Sequence, residues 1–551
     1  MKVFCKNVGR YIPIAGGEIL IDIYRQVADE IPFRPICARV NNKTEDLHFP
    51  VFAPKQVEFL DVTTPSGTRV YVRSLCMMLY RAVYECLPGA RLNICHSISR
   101  GYYCRLDSVE VTAEVVATLK AKMIELAGRD LLFERKDRLT SDVKEMFRAQ
   151  GLLDKVGLLD TIHELYTVYY RLDGVLDSYY GPLAPSTGFI RAFDLQPFHE
   201  GFLLLGFDKA DPSKAASPLQ QEKMYHAFTE YMEFNRVIGV SNVGELNAAT
   251  INKHSADLIN VAEALHDKKI SAIADELARR HSRGGAKVVL IAGPSSSGKT
   301  TFAKRLAIYL MTNLLKPKMI SLDDYFVDRE NTPLDASGDY DYESLYALDL
   351  DLFNRDLQAL INGEEIELPT YNFELGCRQY KGRKLRLEDN SILLIEGIHG
   401  LNPELTAAIE ERMKYRVYVS ALTTLAIDDH NWVPTSDNRL LRRIIRDHKY
   451  RGTTALDTIR RWPSVRRGEE RWIFPYQENA DSTFNSSLIF ELGVMRTQGE
   501  ELLKNFPRDI PEYAEAYRLK KFLSYFTPIA DNNLPPTSLL REFLGGSSFH
   551  Y

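Results

Sequence analysis

The sequence predicts an α/β fold in its second half, with a mostly parallel sheet, preceded by a small β-rich module and an α+β unit. Three observations in the second half carry that prediction. Lys287 to Ala292 (KVVLIA) is a short, β-branched apolar run. It passes through a glycine-rich turn into a helical pattern of Phe302, Ala303, Leu306, Ala307, Leu310 and Leu314. Two further apolar runs, Lys318 to Leu322 and Ser391 to Ile395, are each followed at once by an acid, Asp323 and Glu396. Strands alternating with helices, with polar groups gathered at the strands' carboxyl ends, describe a doubly wound sheet with its site along one edge.

The remaining elements follow in chain order. At 551 residues the chain is too long for one hydrophobic core, and two to four domains are expected. Residues 1–62 read as short strands and turns around one helical stretch, Ile19 to Asp29, bracketed by Gly16-Gly17 and by Pro32 and Pro35. Residues 65–240 open with a helix over Val72 to Leu87 and continue through mixed segments rich in Tyr and Leu. Residues 241–285 form a helical connector. Ile270, Ile273, Ala274 and Leu277 recur there at helical spacing until His281-Ser282-Arg283-Gly284-Gly285 breaks the pattern. The parallel-sheet domain occupies 286–495, and 496–551 is a tail with one helix, Tyr513 to Phe526, and a frayed Gly/Ser-containing end.

Composition narrows the function classes. With 45% hydrophobic and 26% charged residues the chain is an ordinary globular protein, and a net charge of −5 supplies no global field for nucleic acid. Any RNA contact has to rest on a local patch, and a small-molecule partner fits better. The seven cysteines (Cys5, Cys37, Cys76, Cys86, Cys95, Cys104, Cys377) are scattered and never fall at a C-x-x-C spacing, which suits a reducing cytosol. The N-terminus has no apolar signal core and no stretch is apolar enough to span a bilayer, so the expected location is the cytoplasm, with no membrane association.

The glycine-rich turn is Gly293-Pro294-Ser295-Ser296-Ser297-Gly298-Lys299-Thr300, followed by Thr301. It matches G-x-x-x-x-G-K-[ST] in full, between a strand and a helix as the mechanism demands. The glycines let backbone N–H groups curl around phosphate oxygens, and the helix N-terminus adds positive partial charge. Lys299 is placed to reach the β- and γ-phosphates and Thr300 to offer its hydroxyl to Mg²⁺. Such a P-loop specifies a nucleoside triphosphate, and motors, GTPases and small-molecule kinases all share it.

Asp323 and Asp324 end the second strand, on the phosphate side of the sheet. There a carboxylate can accept a hydroxyl proton or hold the metal, and a turn-capping pair is the simpler alternative. Glu396, ending the third strand, has the placing of a metal or water ligand. A helix over 436–449 carries Arg439, Arg442, Arg443 and Arg446 opposite Leu440, Leu441, Ile444 and Ile445, and Arg451-Gly452 follows. The arginines are either a solvated basic face or the groups that neutralise a transferring phosphoryl group.

Taken together, G-P-S-S-S-G-K-T-T, S-L-D-D-Y-F, D-Y-D-Y-E, P-T-Y-N-F, I-E-G-I, S-D-N-R-L-L-R-R-I-I-R-D-x-x-x-R-G and Asn479-Ala480-Asp481, in that order, resemble the uridine kinase and phosphoribulokinase family. The resemblance implies a kinase that uses ATP and Mg²⁺ to phosphorylate a small hydroxyl acceptor, with the ribose 5′-hydroxyl of a nucleoside favoured. It implies Asp323 as base, working with Lys299, Arg446 and Arg451, and Thr300, Asp323 and Glu396 around the metal. Asp341, Tyr371 and Arg443 would hold the acceptor. Members of that family often assemble as oligomers, so a homo-oligomer is an option. Three departures, Gly376 for a histidine, Thr453 for an arginine and Asn372 for an aspartate, fall where the family reads base and sugar. They leave a sugar or sugar phosphate open as the acceptor.

Residues 1–62 resemble the β-grasp TGS module, and 65–240 resemble the second additional domain of threonyl-tRNA synthetases, on His96-Ser97-Ile98-Ser99-Arg100-Gly101. The editing pocket of that family uses H-x-x-x-H, whose second histidine position is Arg100 here, so His96 reads as a hydrogen-bonded structural residue rather than a metal ligand. RNA contact through this half, with the P-loop half as a nucleotide-gated switch, is the rival from another class.

Overall fold

The computed structural model describes residues 1–335 and 338–551. The chain opens with a five-stranded sheet in the order Arg10–Pro13, Lys2–Cys5, Gln56–Leu60, Cys37–Val40, Lys43–Glu45; only the pairing of Lys2–Cys5 with Gln56–Leu60 is parallel. Val3, Ile12, Val57 and Phe59 turn inward onto Leu20 and Ile23 of the helix Leu20–Arg25, which is the core such alternation predicts. The expected helix to Asp29 ends earlier, and a separate 3₁₀ turn covers Ala28–Glu30.

The next helix runs Pro65–Cys86, starting before the apolar stretch that predicted it. Thr64 caps it by accepting from the Gly67 N–H, and Pro65 fits the first turn because its missing N–H has no partner to lose there. It packs among an antiparallel sheet ordered Asp194–Phe198, Gly201–Leu205, Gly101–Asp107, Arg91–Ile98 and a three-stranded sheet of Val175–Asp177, Tyr166–Leu172 and Glu134–Leu139. The connector is two helices, Val243–Ile251 and Ser255–Ser282, parted at Lys253, whose φ of 66° is left-handed. Asn242 and Glu245 close a capping box at the first of them.

The second half is built on five parallel strands in the order Lys316–Ser321, Ser391–Glu396, Val288–Ala292, Lys414–Ser420, Ser482–Asn485. Alternate residues of the central strand serve opposite layers. Val289 and Ile291 meet Phe302, Leu306 and Leu310 of the helix Lys299–Thr312 and Ile270, Ala274 and Leu277 of the connector. Val288 and Leu290 meet Phe353, Leu357 and Leu360 of the helix Leu350–Ile361. The connector's apolar stripe is therefore spent on this sheet.

The halves are joined through buried charge. Lys155 lies 2.9 Å from Asp177 and 2.8 Å from Asp428, and His430 Nδ1 lies 2.8 Å from Asp177. The tail departs from its expected frayed end. Its helix is Tyr513–Leu523, and beyond it Leu539, Leu540 and Phe543 are wholly buried, because the segment folds back over the P-loop. Among the described residues no helix is long and apolar enough to cross a membrane.

Candidate active site

The P-loop residues Gly293, Pro294, Ser295, Ser296, Ser297 and Gly298 link the central strand to the helix that starts at Lys299. Lys299 bends back so that its ammonium lies 3.3 Å from the Pro294 carbonyl, and it forms no ion pair among the described residues. Thr300 Oγ1 donates to Glu396 Oε1 at 3.2 Å, joining the loop to the end of the neighbouring strand. The Ser296 and Ser297 hydroxyls are buried in the loop with no hydrogen-bond partner among the described residues.

Asp323 and Asp324 leave the edge strand in a 3₁₀ turn, Leu322–Tyr325, and their fates differ. Asp324 holds the adjoining hairpin, accepting from the Tyr371 N–H at 3.4 Å and facing Arg383 at 3.4 Å, so one member of the pair does serve the turn. The Asp323 carboxylate has neither a hydrogen bond nor an ion pair among the described residues. Desolvation by the surrounding protein pushes its pKa up, while Lys299, Arg451 and Arg446 pull against that shift.

Two further carboxylates share this neighbourhood. Burial pushes Glu396 up to about 7, with Lys299 opposing and Asp323 and Glu542 adding to the rise. Burial likewise raises Glu343 to about 7, reinforced by Glu469 and Asp323 and opposed by Arg443 and Lys299. One lysine is thus set among three acids that burial and mutual repulsion hold toward their neutral forms, which is the condition a divalent cation relieves. Hydroxyl and carboxylate oxygens are hard donors, the set that Mg²⁺ takes together with phosphate and water. Among the described residues no three His, Cys, Asp or Glu side chains form a complete cage, and Thr300, Glu396 and Asp323 fit a metal that takes its remaining ligands from phosphate and water.

Arginines crowd the opposite side. The helix Thr435–Arg451 directs Arg443 at the Ser295 hydroxyl, 2.8 Å away, and one buried carboxylate, Asp447, faces Arg443 at 3.2 Å, Arg446 at 2.8 Å and Arg451 at 3.6 Å. Three guanidiniums on one carboxylate leave a surplus of positive charge beside the loop. Arg439 and Arg442 correct the expectation of a uniform basic face. Both are buried, Arg439 donating at 2.9 Å to Glu469 and Arg442 pairing with Glu491, and both also donate to P-loop carbonyls. They brace the loop from behind, where charge without a partner would be costly.

Tyr371, expected at the acceptor side, has a buried hydroxyl with no partner among the described residues, and its ring packs against Phe326 and Phe373. Asp341 accepts from the Glu343 N–H at 3.2 Å, and Glu343 lies within the electrostatic reach of Lys299. Gly376 has φ 71°, and a Cβ there would lie 2.7 Å from Arg329 Nε, so a guanidinium takes the space beside this glycine. Asn372 accepts from the Glu374 and Leu375 N–H groups, which is hairpin chemistry.

Sequence reasoning missed Glu343 and Glu469. Glu343 stood in the D-Y-D-Y-E run without being singled out. Glu469, which receives the Ser295 N–H at 3.1 Å, lies on a helix with no motif of its own. His96 is structural, but it is not hydrogen-bonded as expected. Its ring stacks 3.7 Å from Phe228, neither nitrogen has a partner among the described residues, and burial lowers its pKa to about 3.

Residues 288–488 match the model of the phosphoribulokinase / uridine kinase family. A uridine kinase of Anoxybacillus flavithermus is 30% identical over 195 residues, covering 35% of this chain and 83% of that protein. A threonine–tRNA ligase of Rubrobacter xylanophilus is 29% identical over 189 residues, 34% of this chain, and the N-terminal half carries that likeness. The chain spans only 29% of that ligase's length. A solved structure titled as a possible uridine kinase from Bacillus stearothermophilus aligns with 36% of this chain and 89% of its own, at 19% identity and a TM-score of 0.25. The motif order, the site they build and the 30% identity across most of a uridine kinase agree: through residues 288–488 the chain belongs to the phosphoribulokinase / uridine kinase family.

Proposed function

We propose that the protein is a cytoplasmic kinase that transfers the γ-phosphoryl group of ATP to a hydroxyl of a small acceptor, with the ribose 5′-hydroxyl of a nucleoside as first candidate. The observation that carries this reading is the pairing of two opposite charge surpluses. Arg443, Arg446 and Arg451 share one carboxylate on one side, and Asp323, Glu343 and Glu396 share Lys299 on the other. Phosphates satisfy the first surplus and a divalent cation the second. Seven free thiols suit a reducing compartment.

In this reading the loop N–H groups and Lys299 hold the phosphates in line. Asp323, unpaired and with a raised pKa, accepts the acceptor's hydroxyl proton. Thr300, Glu396 and Asp323 hold Mg²⁺, which supplies charge neutralisation across the phosphate oxygens when bound. Arg446 and Arg451 stabilise charge on the equatorial oxygens and exclude water, and Arg443, Tyr371 and Asp341 border the acceptor.

A second acceptor class is favoured by one observation: Arg329 occupies the space beside Gly376, where the family's histidine would stand. A guanidinium there suits an acceptor that carries its own anionic group, such as a sugar phosphate. Product analysis with Mg-ATP against nucleosides, sugars and sugar phosphates separates the two. tRNA belongs in the assay as a separate additive, because the N-terminal likeness to tRNA ligases makes RNA contact a proposal for that half. A nucleoside monophosphate as product supports the first reading, a doubly phosphorylated sugar supports the second, and tRNA binding with no acceptor phosphorylated would replace both with a nucleotide-gated RNA-binding protein.

A further inference from the structure

Residues 539–551 lie across the P-loop and the start of the helix that follows it. Glu542, almost wholly buried, accepts from the Thr301 hydroxyl at 2.6 Å and from the Thr301 backbone N–H at 3.3 Å. The Tyr551 hydroxyl lies 2.8 Å from the same Thr301 oxygen, and Lys304 donates to the His550 carbonyl. Leu539 sits so close to Gly298 that a Cβ on this glycine, whose φ is 84°, would collide with it. The segment is anchored upstream by Arg541, which binds Asp531 at 3.0 Å and the Leu534 carbonyl at 2.9 Å, and by Phe543 beneath Arg442. Lys449 of the arginine helix donates to the Leu544 carbonyl.

Thr301 belongs to the first turn of the helix that follows the loop. Its N–H is one of the free donors that a P-loop turns toward the phosphates of a bound nucleotide, on the nucleoside side of the Lys299 seat. A carboxylate already fills that donor. From this occupation we propose that residues 539–551 form an autoinhibitory strap, in which Glu542 stands in for a nucleotide phosphate and has to leave before ATP can seat fully. The proposal rests on the P-loop being the ATP site, as read above.

The strap and ATP then compete for the Thr301 donors, so the apparent affinity of the wild-type chain is lowered by the fraction of molecules with the strap open. A second contact couples this to the phosphate clamp. Lys449 holds the strap from the helix that carries Arg443, Arg446 and Arg451, so release of the strap frees the end of that helix as the nucleotide arrives.

The test uses the full chain and a fluorescent ATP analogue, titrated into wild type, E542A, E542Q and K299A. A charge-assisted hydrogen bond that competes with the ligand is worth about tenfold in affinity, so E542A binds roughly tenfold more tightly than wild type, with E542Q between them. Hydrogen exchange gives an independent readout: saturating ATP reduces the protection of 539–551 in wild type. Equal or weaker binding by E542A, where K299A abolishes wild-type binding, overturns the strap alone and makes the segment a fixed wall of the site. Unchanged protection of 539–551 with ATP bound overturns it as well. Failure of both wild type and E542A to bind overturns the strap together with the ATP-site reading.

Discussion

At the carboxyl edge of the parallel sheet, Lys299 stands among three acids and three arginines converge on Asp447. In the N-terminal half, His96 is covered by Phe228, and among the described residues no polar group meets either of its nitrogens. The first arrangement keeps its charges by leaving them incompletely paired, as a site that binds a charged ligand must. The second has been closed with an aromatic ring, so burial suppresses its charge. The two regions teach that buried polar residues offer a site to a charged ligand where their charges are left incompletely paired, and not where an aromatic ring covers a lone histidine.

The largest effect expected is on the first region. Lys299→Ala removes the cation that acts on all three acids and lowers phosphoryl transfer by about 10²- to 10³-fold, measured as acceptor-dependent ATP consumption, with the fold unchanged by circular dichroism. The arginines that brace the loop from behind respond differently from those that face it. Glu469→Ala leaves Arg439 buried without its carboxylate and costs about 3–5 kcal/mol in urea unfolding, whereas Arg443→Ala, on a partly exposed side chain, leaves stability nearly unchanged and lowers transfer.

The smallest effect belongs to the second region. His96→Phe leaves transfer at the wild-type rate because the ring already behaves as an aromatic filler. Its pH signature is specific. The folded pKa of His96 is lowered to about 3 from 6.5, so the unfolded chain binds the extra proton and wild-type stability is lost as pH falls from 6.5 toward 3. The variant loses that part of the acid sensitivity. His430 provides the internal control: burial opposes its charge, but Asp177 outweighs burial and raises its pKa, so its contribution is present below pH 6.5 and is lost as pH rises through the folded value.

What could be read from the sequence follows from how local each signal is. The P-loop, the acids at the strand ends and the arginine helix are set by short runs whose periodicity fixes both element and direction, and these were legible. Arg439 and Arg442 could not be told from Arg443 and Arg446, because helical spacing gives a face and says nothing of which carboxylates, Glu469 and Glu491, come from distant segments to meet it. The tail read as frayed because Gly545, Gly546, Ser547 and Ser548 are loop-formers, and its docking depends on Leu539 and Glu542 meeting residues more than two hundred positions away and on Phe543 meeting Arg442, about a hundred away. His96 read as hydrogen-bonded because its stacking partner lies on a helix 132 residues on, with no local trace.

The most direct test of the central claim is the single-turnover rate of acceptor phosphorylation by Asp323→Asn under saturating Mg-ATP, with ATP affinity measured on the same protein. The account predicts near-wild-type affinity and a rate lowered by about 10²- to 10⁴-fold, since the amide keeps the shape and cannot take the proton. A rate close to wild type would contradict the assignment of Asp323 as the base and with it the chemistry proposed for this edge of the sheet.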